Sequence, residues 1–214
     1  MEHIFITFEG GEGSGKSTQI ELLKNYFVDK GLPVTLTREP GGSLICEQIR
    51  TVLKDGSNGK MGKVTELLLF SAARSQHAED IIVPALNKGN IVISDRFYDS
   101  SIVYQGYARG LGEKLVREVT KIAIGDLEPT LTFYLNIDPE LAFKRKNGPD
   151  NDRFEKAGIE FHKQVRSAYL NLAKKEKRIR VIDAARTIEE VFANIVEVLE
   201  EELPILNDFI SKTE

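Results

Sequence analysis

Cysteine is almost absent from these 214 residues. The single Cys46 excludes an internal disulfide and any zinc cluster built on several thiolates, and reads as a small, partly buried side chain rather than a catalytic thiol. No stretch approaches the ~20 apolar residues that a membrane-spanning helix needs. Low-complexity tracts and internal repeats are missing, and no break in composition marks a linker between domains. Neither sign of charge dominates. Lys and Arg number 29 against 33 Asp and Glu, a net −4 that argues against a non-specific nucleic-acid binder. The chain enters an apolar run at Ile4, which leaves no room for a cleaved leader, so a cytoplasmic enzyme or switch is expected. What remains is a globular composition on a chain suited to one domain, 1–214, with a substantial core.

Five short apolar runs read as strands, at 4–8, 34–37, 91–94, 131–135 and 179–182. They are hydrophobic nearly throughout rather than alternating, the pattern of strands covered on both faces. Segments of helical period lie between them, at about 15–29, 43–54, 63–88, 113–124, 155–175 and 187–202. Strands alternating with helices predict a three-layer α/β domain around a five-stranded parallel sheet. Ligands of such sheets bind beyond the carboxyl ends of the strands. That rule draws attention to Glu9, Arg38, Glu39, Asp95, Arg96 and Asp183.

Residues 10–17 read Gly-Gly-Glu-Gly-Ser-Gly-Lys-Ser, matching the G-x-x-x-x-G-K-[ST] phosphate loop at each fixed position. A strand precedes it, and Ile20, Leu23 and Phe27 follow at helical spacing, as the motif requires. Gly10, Gly11, Gly13 and Gly15 allow sharp turns that aim successive N–H groups at an anion, and the following helix adds its positive end. Lys16 is placed to bridge the outer phosphates of a nucleoside triphosphate, and the Ser17 hydroxyl to bind its magnesium.

Phosphoryl transfer needs cationic groups beyond that lysine, and Arg38, Arg74 and Arg96 are the candidates. Asp95 is placed to hold magnesium while Arg96 grips an acceptor phosphate with its planar fork. Leu67, Phe70 and Arg74 follow i, i+3, i+7 spacing, which puts an arginine on an apolar stripe. There Phe70 can stack on a base while Arg74 bonds its edge; the same spacing also fits a core phenylalanine and an arginine reaching outward. Ser101, Tyr104 and Gln105 share a face if the stretch after Asp99 is helical, and the Gln105 amide suits a pyrimidine edge or simply the surface. The glycine-proline cluster at 147–152, flanked by Lys144, Arg145, Lys146 and Arg153, reads as a basic lid at about 144–156 or as an ordinary exposed turn.

Taken together, these pieces resemble the thymidylate kinase family over essentially the whole chain. Phosphate loops are widespread. The combination of Arg38-Glu39-Pro40-Gly41-Gly42, Asp95-Arg96-Phe97 and Tyr104-Gln105-Gly106 is far more specific. The resemblance implies transfer of the ATP γ-phosphoryl group to dTMP with Mg2+, in dTTP biosynthesis, by a homodimer with no nucleic-acid or membrane partner. It also implies that residues 10–18, including Glu12, Ser14 and Thr18, hold the donor. Phe70 would stack on thymine, Arg74 and Gln105 would bond its edge, and Arg38 and Arg96 would bind the dTMP phosphate, with Tyr104 beside the sugar and Ser101 nearby. Glu12 matches an acidic position near acceptor and metal, and Asp183 and Ala184 begin the loop beside adenine.

Positions 11–14 contain no arginine, so the group that stabilises the transferring phosphoryl is expected in the lid. Arg153 is favoured, with Arg145 and Lys146 as alternatives. The rivals are another nucleotide kinase of the same fold and a GTP-dependent switch. The guanine-reading Asn-Lys-x-Asp of such switches is missing; Asn87-Lys88-Gly89-Asn90 approaches it but precedes a strand instead of following one.

Overall fold

The structure, a computed structural model, describes residues 3–58, 61–145 and 157–204. Strands β1 (Phe5–Glu9), β2 (Val34–Arg38), β3 (Ile91–Asp95), β4 (Leu131–Asn136) and β5 (Ile179–Asp183) form a parallel sheet in the order β2-β3-β1-β4-β5. Each strand runs one residue beyond its apolar stretch, ending on Glu9, Arg38, Asp95, Asn136 or Asp183. Ladder hydrogen bonds use backbone groups, so the last rung can carry a polar side chain wherever that side chain faces a cleft.

Alternate side chains along the strands enter opposite layers. Ile6, Ile93 and Phe133 pack with Leu23 and Phe27 of α1 (Lys16–Asp29) and Ile195 and Leu199 of α9 (Ile188–Glu202). Phe5, Val92 and Tyr134 pack on the other face, where the helices are α3 (Lys63–His77), α6 (Glu113–Ile124) and α8 (Ile159–Lys175). The expected helix at 63–88 is continuous. After α3 it passes through a wide turn at Ala78–Ile82 into α4 (Val83–Asn87). α2 (Leu44–Lys54) packs beside α3. Two further short helices appear, α5 (Tyr98–Ser101) and α7 (Pro139–Arg145), each with too few residues to show an apolar period.

Helix α1 leaves β1 on one face of the sheet, whereas α5 leaves the neighbouring β3 on the other. The divergence opens a crevice beyond the carboxyl ends of β1 and β3, as expected for open parallel sheets. Among the described residues no helix is long and apolar enough to cross a membrane.

Candidate active site

The crevice is a cavity of about 430 Å³. Its lining joins loop residues 12–18 to Arg38, Phe70, Arg74, Asp95, Arg96, Ser101, Tyr104 and Gln105. Most of the residues singled out from the sequence therefore meet around one space.

On the loop side, Gly13 has φ 72° and an added Cβ would stand 2.3 Å from the Ala142 carbonyl oxygen. Only glycine allows that left-handed bend and that backbone approach. Lys16 is buried, and its Nζ donates to the carbonyls of Gly10 at 3.1 Å and Gly11 at 3.0 Å, so the ammonium closes the curve of its own loop. Burial, and then the Arg96 charge, lower its pKa, while Asp95, Glu12 and Glu9 oppose them. Ser14 Oγ donates to the Gly11 carbonyl at 2.8 Å, and Ser17 and Thr18 are exposed to the cavity.

Between the ends of β1 and β3 lies a charged cluster. Glu9 is fully buried and accepts from Phe97 N–H at 2.9 Å and from the Ser100 and Tyr169 hydroxyls at 2.6 Å each. Burial raises its carboxyl and the nearby Arg96 charge opposes the rise. Arg96 has φ 72°, a conformation uncommon outside glycine. The bend is held on both sides, since Arg96 N–H donates to Phe8 O at 2.9 Å and the next N–H, that of Phe97, donates to Glu9 Oε1 at 2.9 Å. Backbone strain of this kind costs about 1–3 kcal/mol and concentrates at functional sites. It aims the guanidinium across the cleft, where Nη1 donates to Ser100 Oγ at 3.1 Å and Nη2 comes within 3.5 Å of Glu12. The Arg96 Cζ stands 5.5 Å from the Tyr104 ring centre. Burial alone would lower the Arg96 pKa, but Tyr104, Tyr169, Glu12 and Asp95 raise it well above the ordinary value. Beside it, the buried Asp95 Oδ1 accepts no hydrogen bond among the described residues.

At the far side Arg74 is 1% exposed, so the outward-reaching alternative does not hold. Its Nε donates to Glu39 Oε2 at 2.8 Å and its Nη2 to Ser101 Oγ at 2.9 Å. The remaining nitrogen, Nη1, is buried with no hydrogen-bond partner among the described residues. Glu39 is braced in turn by His77 Nδ1 at 3.0 Å, and His77 Nε2 lies 2.5 Å from Thr37 Oγ1. Gly42, with φ 97°, packs against this histidine; an added Cβ would come within 3.0 Å of His77 Cδ2 and Thr37 Oγ1. The stretch after Asp99 is helical, as the shared face required, and Ile102–Ala108 is a widened turn carrying buried Tyr104 and Gln105. Widened turns inside helices occur frequently at functional sites. Gln105 Nε2 donates to Glu66 Oε1 at 2.8 Å. Phe70 is half-buried at the lining, while exposed Arg38 donates through Nη2 to Glu47 Oε1 at 2.7 Å.

Arg50 and His162 also line the cavity and were missed. Arg50 carried a readable signal. It falls between Cys46 and Leu53, the two buried residues of α2, at i, i+4, i+7 spacing, the same arginine-on-an-apolar-stripe pattern that singles out Arg74. His162 carried none.

Arg153, Lys146 and most of the expected lid lie outside the described residues. Arg145 is described, and it turns from the cleft to the loop after β5. Its Nη1 donates to Ala184 O at 2.7 Å and its Nη2 to Ala185 O at 2.8 Å. Asp183 accepts from Ala185 N–H in the same loop, at 3.1 Å.

The thymidylate kinase family model matches residues 8–195. The thymidylate kinase of Symbiobacterium thermophilum is 48% identical over 202 residues, covering 94% of each chain. That of Finegoldia magna is 46% identical over 197 residues, 92% of this chain and 97% of the other. Among solved structures, thymidylate kinase from Ehrlichia chaffeensis superposes with a TM-score of 0.75 at 35% identity, over 92% of this chain and 98% of that one.

Proposed function

The chain belongs to the thymidylate kinase family and is a kinase, and from that premise we propose that it moves the γ-phosphoryl of ATP to dTMP, giving ADP and dTDP for dTTP biosynthesis. One observation carries the choice of acceptor. A buried arginine nitrogen, Arg74 Nη1, has no hydrogen-bond partner among the described residues, on the wall that also holds Phe70 and Gln105. A buried guanidinium N–H left unsatisfied is costly, and a base carbonyl would satisfy it.

In this reading residues 10–18 cradle the triphosphate, and Lys16 gives up its two loop carbonyls for phosphate oxygens. Phe70 stacks on thymine, Arg74 and Gln105 bond its edge, and Arg96 and Arg38 take the acceptor phosphate. Tyr104 crowds the sugar against a 2′-hydroxyl, and Ser101 steadies Arg74. Among the described residues no group of three His, Cys, Asp or Glu forms a metal site. Magnesium commonly uses only one or two protein carboxylates beside phosphate oxygens. Asp95, with its orphaned buried oxygen, and Ser17 fit that habit and would hold it; the ion neutralises phosphate charge when bound. An acceptor phosphate oxygen forms the new bond to the γ-phosphorus as the bond to the β–γ bridging oxygen breaks. The transition state is loose, so the residues act by alignment and charge. Arg153 in the lid, 144–156 of a single 1–214 domain, stabilises the moving group; equal turnover by Arg153→Ala and the parent overturns that role.

We further infer a cytoplasmic homodimer without nucleic-acid or membrane partners. The exposed Leu44, Leu68 and Ile122 lie on α2, α3 and α6, helices packed side by side, and a second copy would cover them. Sedimentation of Ile122→Glu as a monomer, beside a parent dimer, is the expected result.

A coupled assay of ADP release, with ATP, Mg2+ and each monophosphate in turn, tests the function. dTMP should be best, with dUMP measurable but lower by about 10–200-fold, the range one methyl in a pocket provides. Equal use of AMP or dGMP would sink the proposal.

A further inference from the structure

Gln105 presents a donor and an acceptor that exchange places when its amide turns over, and the two orientations would read opposite base edges. What decides the orientation lies behind it. Gln105 Nε2 meets Glu66 Oε1 at 2.8 Å, and Glu66 is 1% exposed. A carboxylate offers only lone pairs, so the amide atom facing it must be the NH2 group; the turned amide would set oxygen against oxygen. Glu66 is anchored in turn. Arg109 Nε lies 3.5 Å from the same oxygen, and the Arg109 Cζ sits 5.1 Å from the Phe161 ring centre.

We propose that Glu66, which does not line the cavity, is a specificity-determining positioning residue: by holding the Gln105 NH2 it commits the amide oxygen to the base. The inference rests on the acceptor reading above. Glu39 and Ser101 do the same for the neighbouring reader, taking Nε and Nη2 of Arg74 so that Nη1 is the donor that remains. The wall thereby offers one donor and one acceptor in a fixed order. A pyrimidine with a 4-carbonyl and an N3–H complements that order at both points. A 4-amino pyrimidine, with its donor and acceptor exchanged, opposes it at both.

The test compares kcat/KM for dTMP with that for 5-methyl-dCMP, which keeps the methyl, sugar and phosphate and changes only the edge pattern. The parent should favour dTMP by more than about 10³-fold, as sites built on buried hydrogen bonds do. Glu66→Gln replaces an obligate acceptor by a group that can also donate, so Gln105 can turn. The dTMP preference should then fall by about tenfold or more, partly through a gain with 5-methyl-dCMP, while the KM for ATP stays within about twofold. A merely structural role would lower both substrates together. An unchanged preference in folded Glu66→Gln overturns the inference alone. No preference in the parent overturns the acceptor reading with it. Because Glu66→Gln also removes the carboxylate charge 3.5 Å from Arg109 Nε, Glu66→Gln/Arg109→Gln is measured alongside and should show the same narrowing; an unchanged ratio there overturns the inference equally.

Discussion

At the proposed donor end of the cleft one unbroken stretch, residues 12–18, lines the cavity, whereas the proposed acceptor end draws Arg38, Phe70, Arg74, Arg96 and Gln105 from separate segments. The donor end works with backbone: glycines in left-handed bends, N–H groups at a helix start, and one lysine that caps its own loop. The other end works with side chains, and each of the two groups proposed to read the base has a buried carboxylate at its back, Glu39 for Arg74 and Glu66 for Gln105. Triphosphates look alike, so a backbone nest suffices to hold one. Bases differ in where donors and acceptors stand, and reading them needs side chains that cannot turn.

If the two ends are separable, damage to each should show in a different kinetic constant. Lys16→Ala should have the largest effect, lowering kcat by about 10²–10³-fold, the value of one preorganised charged donor, with the KM for dTMP nearly unchanged. A matching rise in that KM would break the separation. Arg74→Ala should lower kcat/KM for dTMP by about 10²-fold and leave the KM for ATP alone. It should also cost about 3–5 kcal/mol in urea unfolding, because Glu39 keeps its burial and loses its ion pair.

Two glycine variants sharpen the contrast at smaller amplitude. Gly13→Ala drives a methyl to 2.3 Å from Ala142 O, and Gly42→Ala drives one to 3.0 Å from His77, each at positive φ. Both should cost about 1–3 kcal/mol of stability. The first should raise the KM for ATP and the second that for dTMP; the reverse assignment would mean that the strain spreads through the sheet.

The smallest expected effect lies outside both ends. Partial burial would raise the Glu113 carboxyl, but hydrogen bonds from Lys175, Tyr107 and Arg117 pull it down to about 2, from an ordinary 4.5. A carboxyl lowered on folding stabilises the protein above the ordinary value and loses that contribution as pH falls toward the lowered one. Glu113→Gln should therefore lower Tm by no more than about 2–4 °C at pH 7. The difference from the parent should shrink between pH 4.5 and 2, and the dTMP preference should not move. A Tm difference that grows on acidification would contradict the assignment.

Much of this architecture is legible in the sequence, for reasons that differ by element. The central strands β1, β3 and β4 read clearly because burial on both faces makes them apolar at nearly every position, whereas the edge strands β2 and β5 are only partly buried. The last rungs of β1 and β3 did not, because Glu9 and Asp95 are polar yet remain in the ladder. Helix α7 was not read because seven residues hold at most two turns, whereas the stretch of α5 was legible only conditionally, through the shared face of Ser101, Tyr104 and Gln105. Arg50 was readable by the argument used for Arg74, and Arg145 was read toward the phosphates, whereas the structure ties it to the loop after β5.

The sequence alone determined the phosphate loop, the alternating strands and helices, and the kinds of side chain available at the strand ends. These are local properties, set by φ preferences, apolar period and neighbours a few positions away. Only the tertiary structure decided which atoms of those side chains remain free. Glu39 meets Arg74 across 35 positions and Glu66 meets Gln105 across 39. Contacts that distant are fixed by packing in the fold, and the order of donor and acceptor on the acceptor wall exists only once they have formed.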